Sequence, residues 1–347
     1  MKERIAYVPI HEIKNITQEH ASLFTRINLA FATLNDQGQC VLREDAGMDG
    51  LTQVRSYNPN IKIIMSIGGA GAFGFSDMAM TKESRQVFLD SMVEMIKKHN
   101  LDGVDLDWEF PTADWGGDWD PKDKPNYTLL LKEMRQRLDL LEKEIFKKQY
   151  LTIAAGVGQW FIATTEVAKY KDYLDEFMLM TYDLRGFGQQ VTGHHTTLYQ
   201  KEADVIGMSA HQGVKLLLDE GVPREKIVIG FAMYSKLWEE VKSENDGLLQ
   251  KSKKDSGKHF LQYPELQTDI IDNPEFENFW DDEAKVPWSY SEKLRQFVSY
   301  DNRQSVEEKI NYIKDHDLGG LMFWRYVNWP DNPLIDAMKE LKSEERS

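Results

Sequence analysis

Short apolar runs alternate with amphipathic stretches along most of the chain, the pattern of parallel strands joined by crossover helices. Eight runs stand out: Ile5–Ile10, Ile27–Leu34, Ile61–Ile67, Gly103–Glu109, Leu151–Gly156, Glu176–Tyr182, Ile227–Tyr234 and Gly320–Trp324. Most are continuously apolar rather than alternating, so they predict strands covered on both faces. Between them, 126–148 places Leu130, Met134, Leu138, Leu141 and Ile145 at three- and four-residue intervals, one apolar stripe of a helix. The stretches 84–100 and 208–220 read the same way, and 304–315 supplies the helix before the last strand. Eight such units predict an α/β fold of the closed (β/α)8 kind, a TIM barrel.

The spacing breaks once, between Tyr234 and Gly320, a stretch too long for one helix and its loops. A long structureless loop is disfavoured in a compact protein, so 238–300 is expected to form a small α+β subdomain inserted into the barrel. Its core would draw on Tyr263, Phe276, Phe279, Trp280, Trp288, Tyr290 and Phe297. The charged end, 339–347, reads as a fraying helix terminus.

Charge and cysteine content narrow the function. Over 347 residues, 57 acidic against 42 basic side chains give a formal net charge of −15. Such a field repels nucleic acid and anionic membranes, and it suits a neutral substrate. Cys40 is the only cysteine, which excludes an internal disulfide and a Cys-based metal site. The first ten residues, MKERIAYVPI, hold no apolar stretch of signal-peptide length, and no window approaches a membrane span. The expected location is cytoplasmic if the sequence is complete, and secreted if a leader has been removed. An open cleft and an acidic surface favour a monomer.

The candidate chemistry lies on the fourth run, Asp102-Gly-Val-Asp105-Leu-Asp107-Trp-Glu109-Phe. Alternation along a strand points Asp105, Asp107 and Glu109 to one face, and Val104, Leu106, Trp108 and Phe110 to the other. Asp102 has the opposite parity and starts the strand, a structural position. Carboxylates crowded inside a barrel raise one another's pKa, which keeps one acid protonated near neutral pH, as a general acid requires. A hard-metal site is the competing reading of the same row, although such sites draw oxygen ligands from several segments.

This run resembles the DxxDxDxE signature of glycoside hydrolase family 18, which includes chitinases. Ser66-Ile-Gly-Gly69 is similar to the family's SxGG motif, Met180-Thr-Tyr-Asp183 to its strand-six motif, and Phe231-Ala-Met-Tyr234 to its strand-seven motif. Met322-Phe-Trp324 is similar to its strand-eight tryptophan segment, and Tyr7 and Phe31 extend the match to the first two strands. The long insertion resembles the subfamily with a deep substrate cleft.

The resemblance implies a retaining, substrate-assisted hydrolysis of β-1,4 bonds in chitin or chito-oligosaccharides, with no cofactor and no metal. Glu109 would protonate the glycosidic oxygen, and the substrate's N-acetyl carbonyl would act as nucleophile. Asp107 would hold the acetamido N–H, Asp105 would share a proton with Asp107, and Tyr182 would support the acetamido oxygen. Asp183 would contact the sugar or its amide. Trp324 would form the floor, with Met180 lining the pocket and also filling core, and Ser66 bonding near the aspartates. Tyr234 would face the cleft. In the loop after Glu109, Trp115 and Trp119 would either stack on sugars or only pack the loop, and Trp160 and Trp238 are similarly placed after strands five and seven. His194 and His195 read as surface residues rather than a metal site.

Two positions depart from the family pattern. Tyr234 is followed by Ser235-Lys236 where many members carry Gly-Arg, and Phe110 stands where tyrosine is common. Lysine is a point charge and does not reproduce the arginine fork. An endo-β-N-acetylglucosaminidase acting on N-glycans and a non-catalytic chitin-binding lectin are the alternatives.

Overall fold

The computed structural model describes residues 2–42, 47–113, 118–186, 188–254, 256–257, 261–329 and 331–341. In chain order the strands are β1 (Glu3–Pro9), β2 (Arg26–Leu34), β3 (Cys40–Leu42), β4 (Lys62–Gly68), β5 (Gly103–Asp107), β6 (Tyr150–Ala155) and β7 (Glu176–Leu179). They continue as β8 (Ile227–Ala232), β9 (Lys236–Trp238), β10 (Glu277–Asp281), β11 (Val286–Ser291), β12 (Gln296–Ser299) and β13 (Gly320–Trp324). Eight parallel strands pair in the order β1, β2, β4, β5, β6, β7, β8, β13, and β13 returns to β1. That is the closed TIM barrel. Short β3 hangs antiparallel on the outer end of β2.

The outward faces of the strands carry Ile27, Leu29, Ile63, Met65, Leu106, Ile153, Phe177, Ile229 and Leu321, all fully buried beneath the helices. The helix Asp123–Ile145 buries Tyr127, Leu130, Leu131, Met134, Leu138 and Leu141 along one stripe. The helix Lys82–His99 begins on a reciprocal cap between Thr81 and Ser84, which satisfies donors that the first turn would leave free. Inside the barrel, Ile5, Tyr7, Met178, Val228, Ala232 and Met322 pack as a separate apolar cluster. Below it, Arg26 is fully buried among Glu176, Glu3 and Lys62, so charge closes the N-terminal end.

Between β8 and the last helix, β10, β11, β12 and β9 form a four-stranded antiparallel sheet in that spatial order. Trp238, Trp288, Tyr290 and Phe297 make its apolar core. Two of the expected core residues, Tyr263 and Phe276, instead join the main core, and Trp280 is only half-buried on the edge strand β10. The sheet is tied to the barrel by His194, whose Nε2 lies 3.1 Å from Asp281 Oδ2.

Candidate active site

The site is built from the C-terminal ends of the barrel strands, where their inward positions converge. Asp105 comes first because its environment is the most complete. It is fully buried and accepts three hydrogen bonds: from Tyr7 Oη at 2.9 Å, Ser66 Oγ at 2.8 Å and Thr152 Oγ1 at 2.6 Å. Those donors sit on β1, β4 and β6, and the registers Ser66 to Asp105 and Asp105 to Thr152 place two of them directly alongside. Burial raises the Asp105 pKa, with the three donors pulling it back down.

Asp107 lies two residues on and has no such set of donors. Burial pushes its carboxyl well above the usual carboxylate range, and the negative charges of Glu109 and Asp105 push it further. Its Oδ1 is buried and has no hydrogen-bond partner among the described residues. Glu109 follows at the mouth of the barrel, partly exposed. Its pKa is pushed up to about 7 by burial and then by the charge of Asp183, while a hydrogen bond with Asp107 acts the other way. The pair therefore carries a proton near neutral pH and should titrate as a unit.

The two glycines of Ser66-Ile-Gly-Gly69 have a steric reason. A Cβ at Gly68 would stand 2.1 Å from the Asp107 carbonyl oxygen, and one at Gly69 would stand 2.7 Å from the Phe31 ring. Both also have positive φ, 125° and 90°. The Gly69 N–H donates to the Asp107 carbonyl at 2.8 Å. The loop after β4 can therefore lie against the acid-bearing strand and leave room for Phe31.

Phe31 in turn stacks on Trp324, with ring centroids 5.3 Å apart and planes at 25°. Tyr7 meets the same indole edge-on at 6.0 Å. These rings make an aromatic floor from β1, β2 and β13. Opposite it, Tyr182 is buried with its hydroxyl 3.7 Å from Met322 Sδ, and Tyr234 meets its ring edge-on at 6.3 Å. Asp183 has a left-handed backbone, φ 55°, and leaves its side chain about a third exposed. Tyr234 Oη donates to Asp183 Oδ1 at 2.7 Å, and Lys236 Nζ lies 3.0 Å from the same oxygen. Three peptide bonds at this rim are cis: Ala30–Phe31, Glu109–Phe110 and Trp324–Arg325.

A cavity of about 590 Å³ opens beside Glu109 and is lined by Phe110, Trp160, Met180, Tyr182, Asp183 and Met208, among others. Its size is that of a small-molecule site. Phe110 is buried in the main core with Val104, Leu106 and Trp108, as its parity predicts, and it also borders this cavity with its ring 4.8 Å from Trp160.

His194 and His195 were expected on the surface, but both are buried. His194 faces Asp281, as above. His195 Nδ1 accepts the Asp183 backbone N–H at 3.4 Å, and its ring lies 5.3 Å from Tyr234. Burial and the nearby Lys236 and Lys309 charges hold its pKa well below the ordinary histidine value. Each histidine is drawn inward because the insertion sheet packs over the loop after β7, a contact no local pattern encodes.

Trp115 lies outside the described residues. Trp119 is about half exposed, and Trp238 is fully buried in the insertion core rather than on the cleft. Sequence reasoning missed Thr152 and Gly230. A lone hydroxyl inside the apolar run Leu151–Gly156 was the available signal for the first. For the second, a Cβ would stand 2.8 Å from both Tyr182 Cε1 and Met322 Cε.

Residues 3–327 match the model of glycosyl hydrolases family 18. The chain is 37% identical over 304 residues to Chitinase A1 of Niallia circulans, covering 83% of this chain and 44% of that protein. It therefore spans less than half the length of that relative. It is 29% identical to Chitotriosidase-1 of Mus musculus, covering 92% of this chain and 72% of that one. Among solved structures, a family 18 N-acetylglucosaminidase from Paenibacillus barengoltzii is similar at a TM-score of 0.94 and 38% identity, covering 98% of this chain and 99% of that one.

Proposed function

Given that the chain belongs to glycosyl hydrolases family 18, we propose that it cleaves β-1,4 bonds between N-acetylglucosamine units of chitin or chito-oligosaccharides, with retention of configuration. The observation that carries the reading is the acidic pair at the cavity mouth, with Glu109 pushed up to about 7 beside a protonatable Asp107. An acid of that strength gives up its proton readily at neutral pH while about half of the molecules still hold it.

Glu109 protonates the glycosidic oxygen as the bond to the sugar breaks. The acetamido carbonyl oxygen of the same sugar attacks the anomeric carbon and gives an oxazolinium ion. Asp107 Oδ1, buried and unpartnered among the described residues, is the acceptor for the acetamido N–H and stabilises the positive charge that develops there. Asp105, held by its three donors, shares a proton with Asp107 and helps set its protonation state through its charge. Tyr182 supports the acetamido oxygen, and Trp324, Phe31 and Tyr7 form the floor under the distorted sugar. Asp183, with Tyr234, contacts the sugar or its amide, Ser66 positions the aspartates, and Met180 lines the pocket. The four-stranded sheet stands as a separate unit over the barrel rim, and its first strand, β9, begins at Lys236, just before 238–300, and contributes that residue as Asp183's partner.

The test is hydrolysis of a fluorogenic N,N′-diacetylchitobioside by wild type and Glu109→Gln side by side. Release by wild type alone supports the assignment, and equal release by both removes Glu109 from the acid role. A second reading, release of single N-acetylglucosamine units, is favoured by the full-length likeness to the Paenibacillus barengoltzii N-acetylglucosaminidase. The products from chitotetraose distinguish the two: monosaccharide alone points to the second reading, and disaccharide to the first.

A further inference from the structure

A second recess lies away from the barrel mouth. Its volume is about 570 Å³, and it is formed where β10 and β11 meet the segment 263–271 and the start of the helix Arg303–Asp315. The four-stranded sheet runs β10, β11, β12, β9. β9 delivers Lys236 to the active site, so the recess lies against the opposite edge, roughly 15 Å away across three strand spacings. It is distinct from the catalytic cavity and shares no lining residue with it.

The lining is amphiphilic. Trp280 projects from the edge strand half-exposed, and its indole N–H donates to Asp282 Oδ1 at 3.0 Å, which fixes the ring. Ile271, Pro287 and Pro333 supply further apolar surface, while Gln267, Asn302 and Gln304 bring carboxamides. The two lining charges compensate, because Arg303 Nε donates to Glu307 Oε1 at 2.7 Å. A recess with an aromatic face, amides and no net charge suits a neutral ligand with one apolar face and a polar rim. Pyranose rings of N-acetylglucosamine have that form, with axial C–H groups on their faces and hydroxyl and acetamido groups around the edge.

We infer that this recess is an accessory binding site for chito-oligosaccharide segments, with Trp280 as its stacking platform. The inference rests on the proposed substrate. A polymeric substrate offers many identical units, so a second weak site on the same molecule raises the local concentration of chain ends and internal bonds at the cleft.

The test separates binding from turnover. In a Glu109→Gln background, which holds chitin without consuming it, binding isotherms on insoluble chitin are compared for the parent, Trp280→Ala and Trp280→Phe. Trp280→Ala is expected to bind about tenfold more weakly, a loss of about 1.4 kcal/mol, whereas Trp280→Phe keeps the platform and stays close to the parent. In the Glu109-containing enzyme, both substitutions are expected to leave kcat/KM on the diacetylchitobioside unchanged, because that substrate is too short to reach the recess. Unchanged chitin binding in Trp280→Ala overturns the inference. So does a joint loss of chitin binding and chitobioside hydrolysis, because it would make Trp280 a support of the fold. If wild type fails to cleave the chitobioside while chitin binding still depends on Trp280, the catalytic reading falls and the accessory site stands.

Discussion

Glu109 and its neighbours decide the chemistry one proton at a time. Replacing Glu109 by Gln keeps the shape and removes the transferable proton, so kcat is expected to fall by about 10²- to 10⁴-fold with KM little changed. Because the Glu109 pKa is raised to about 7, wild-type activity should decline as pH rises through that value, read from kcat/KM against pH. Stability follows the same shift. The unfolded carboxyl ionises near its ordinary value of 4.5, while the folded one holds its proton to about 7. Between those two values the native state binds more protons, and its stability falls as pH rises. Glu109→Gln has no such term, so its melting temperature should gain on wild type between pH 5 and pH 8, as differential scanning would record. Asp105 gives a second test at this scale. Thr152→Val removes one of its three donors without changing the volume much, and it should cost about 1–2 kcal/mol in urea unfolding. It should also lower kcat while sparing the barrel's circular dichroism.

At the scale of the strands, the site depends on where side chains are absent as much as on where they are present. Gly230 on β8 leaves the space that the Tyr182 ring and Met322 fill. In Gly230→Ala the methionine tip can shift, but the packed tyrosine ring has less freedom. The variant should therefore fold with a loss of about 1–3 kcal/mol from overpacking and lose at least as much in kcat/KM as in stability. Unaltered kinetics would mean that Tyr182 has no part in catalysis. The strand ends also explain what the chain pattern revealed. Asp105 and Asp107 were legible because they obey the alternation of β5, and Glu109 because its motif continues it. His194 and His195 were misread, because two polar residues in a loop look solvent-facing until a separate sheet is laid over them.

The whole molecule joins the barrel to its insertion through buried charge. Asp301 and Lys309 are fully buried, with Lys309 Nζ 2.7 and 2.9 Å from the two carboxylate oxygens. The Asp301 Oδ2 also accepts the Ala232 N–H at 2.9 Å, at the end of β8 beside the cleft. The pair fastens the chain leaving the insertion to the barrel rim. Lys309→Met would strand the Asp301 charge, and denaturant unfolding should show a loss of about 3–5 kcal/mol. A loss below about 1 kcal/mol would show that water or another cation reaches Asp301.

What the sequence determined by itself is local or periodic. Eight apolar runs with helical stripes between them require a closed parallel barrel, since each run needs both faces covered. The spacing of Asp105, Asp107 and Glu109 requires a shared inward row. The overlong interval before the last strand predicts further structure there, and a separate four-stranded sheet forms beside the barrel. Only the tertiary structure decided which residues complete each environment. Thr152, Tyr7 and Ser66 converge on one carboxylate from three strands. Phe31, Trp324 and Tyr7 come together from the first, second and last barrel strands. His195 is buried beside Asp183, and Trp280, expected in a core, stands at a sheet edge. These contacts join positions tens to hundreds of residues apart, and they follow from strand order and register. The pattern along the chain specifies which face a side chain takes, but it does not specify which distant face it meets.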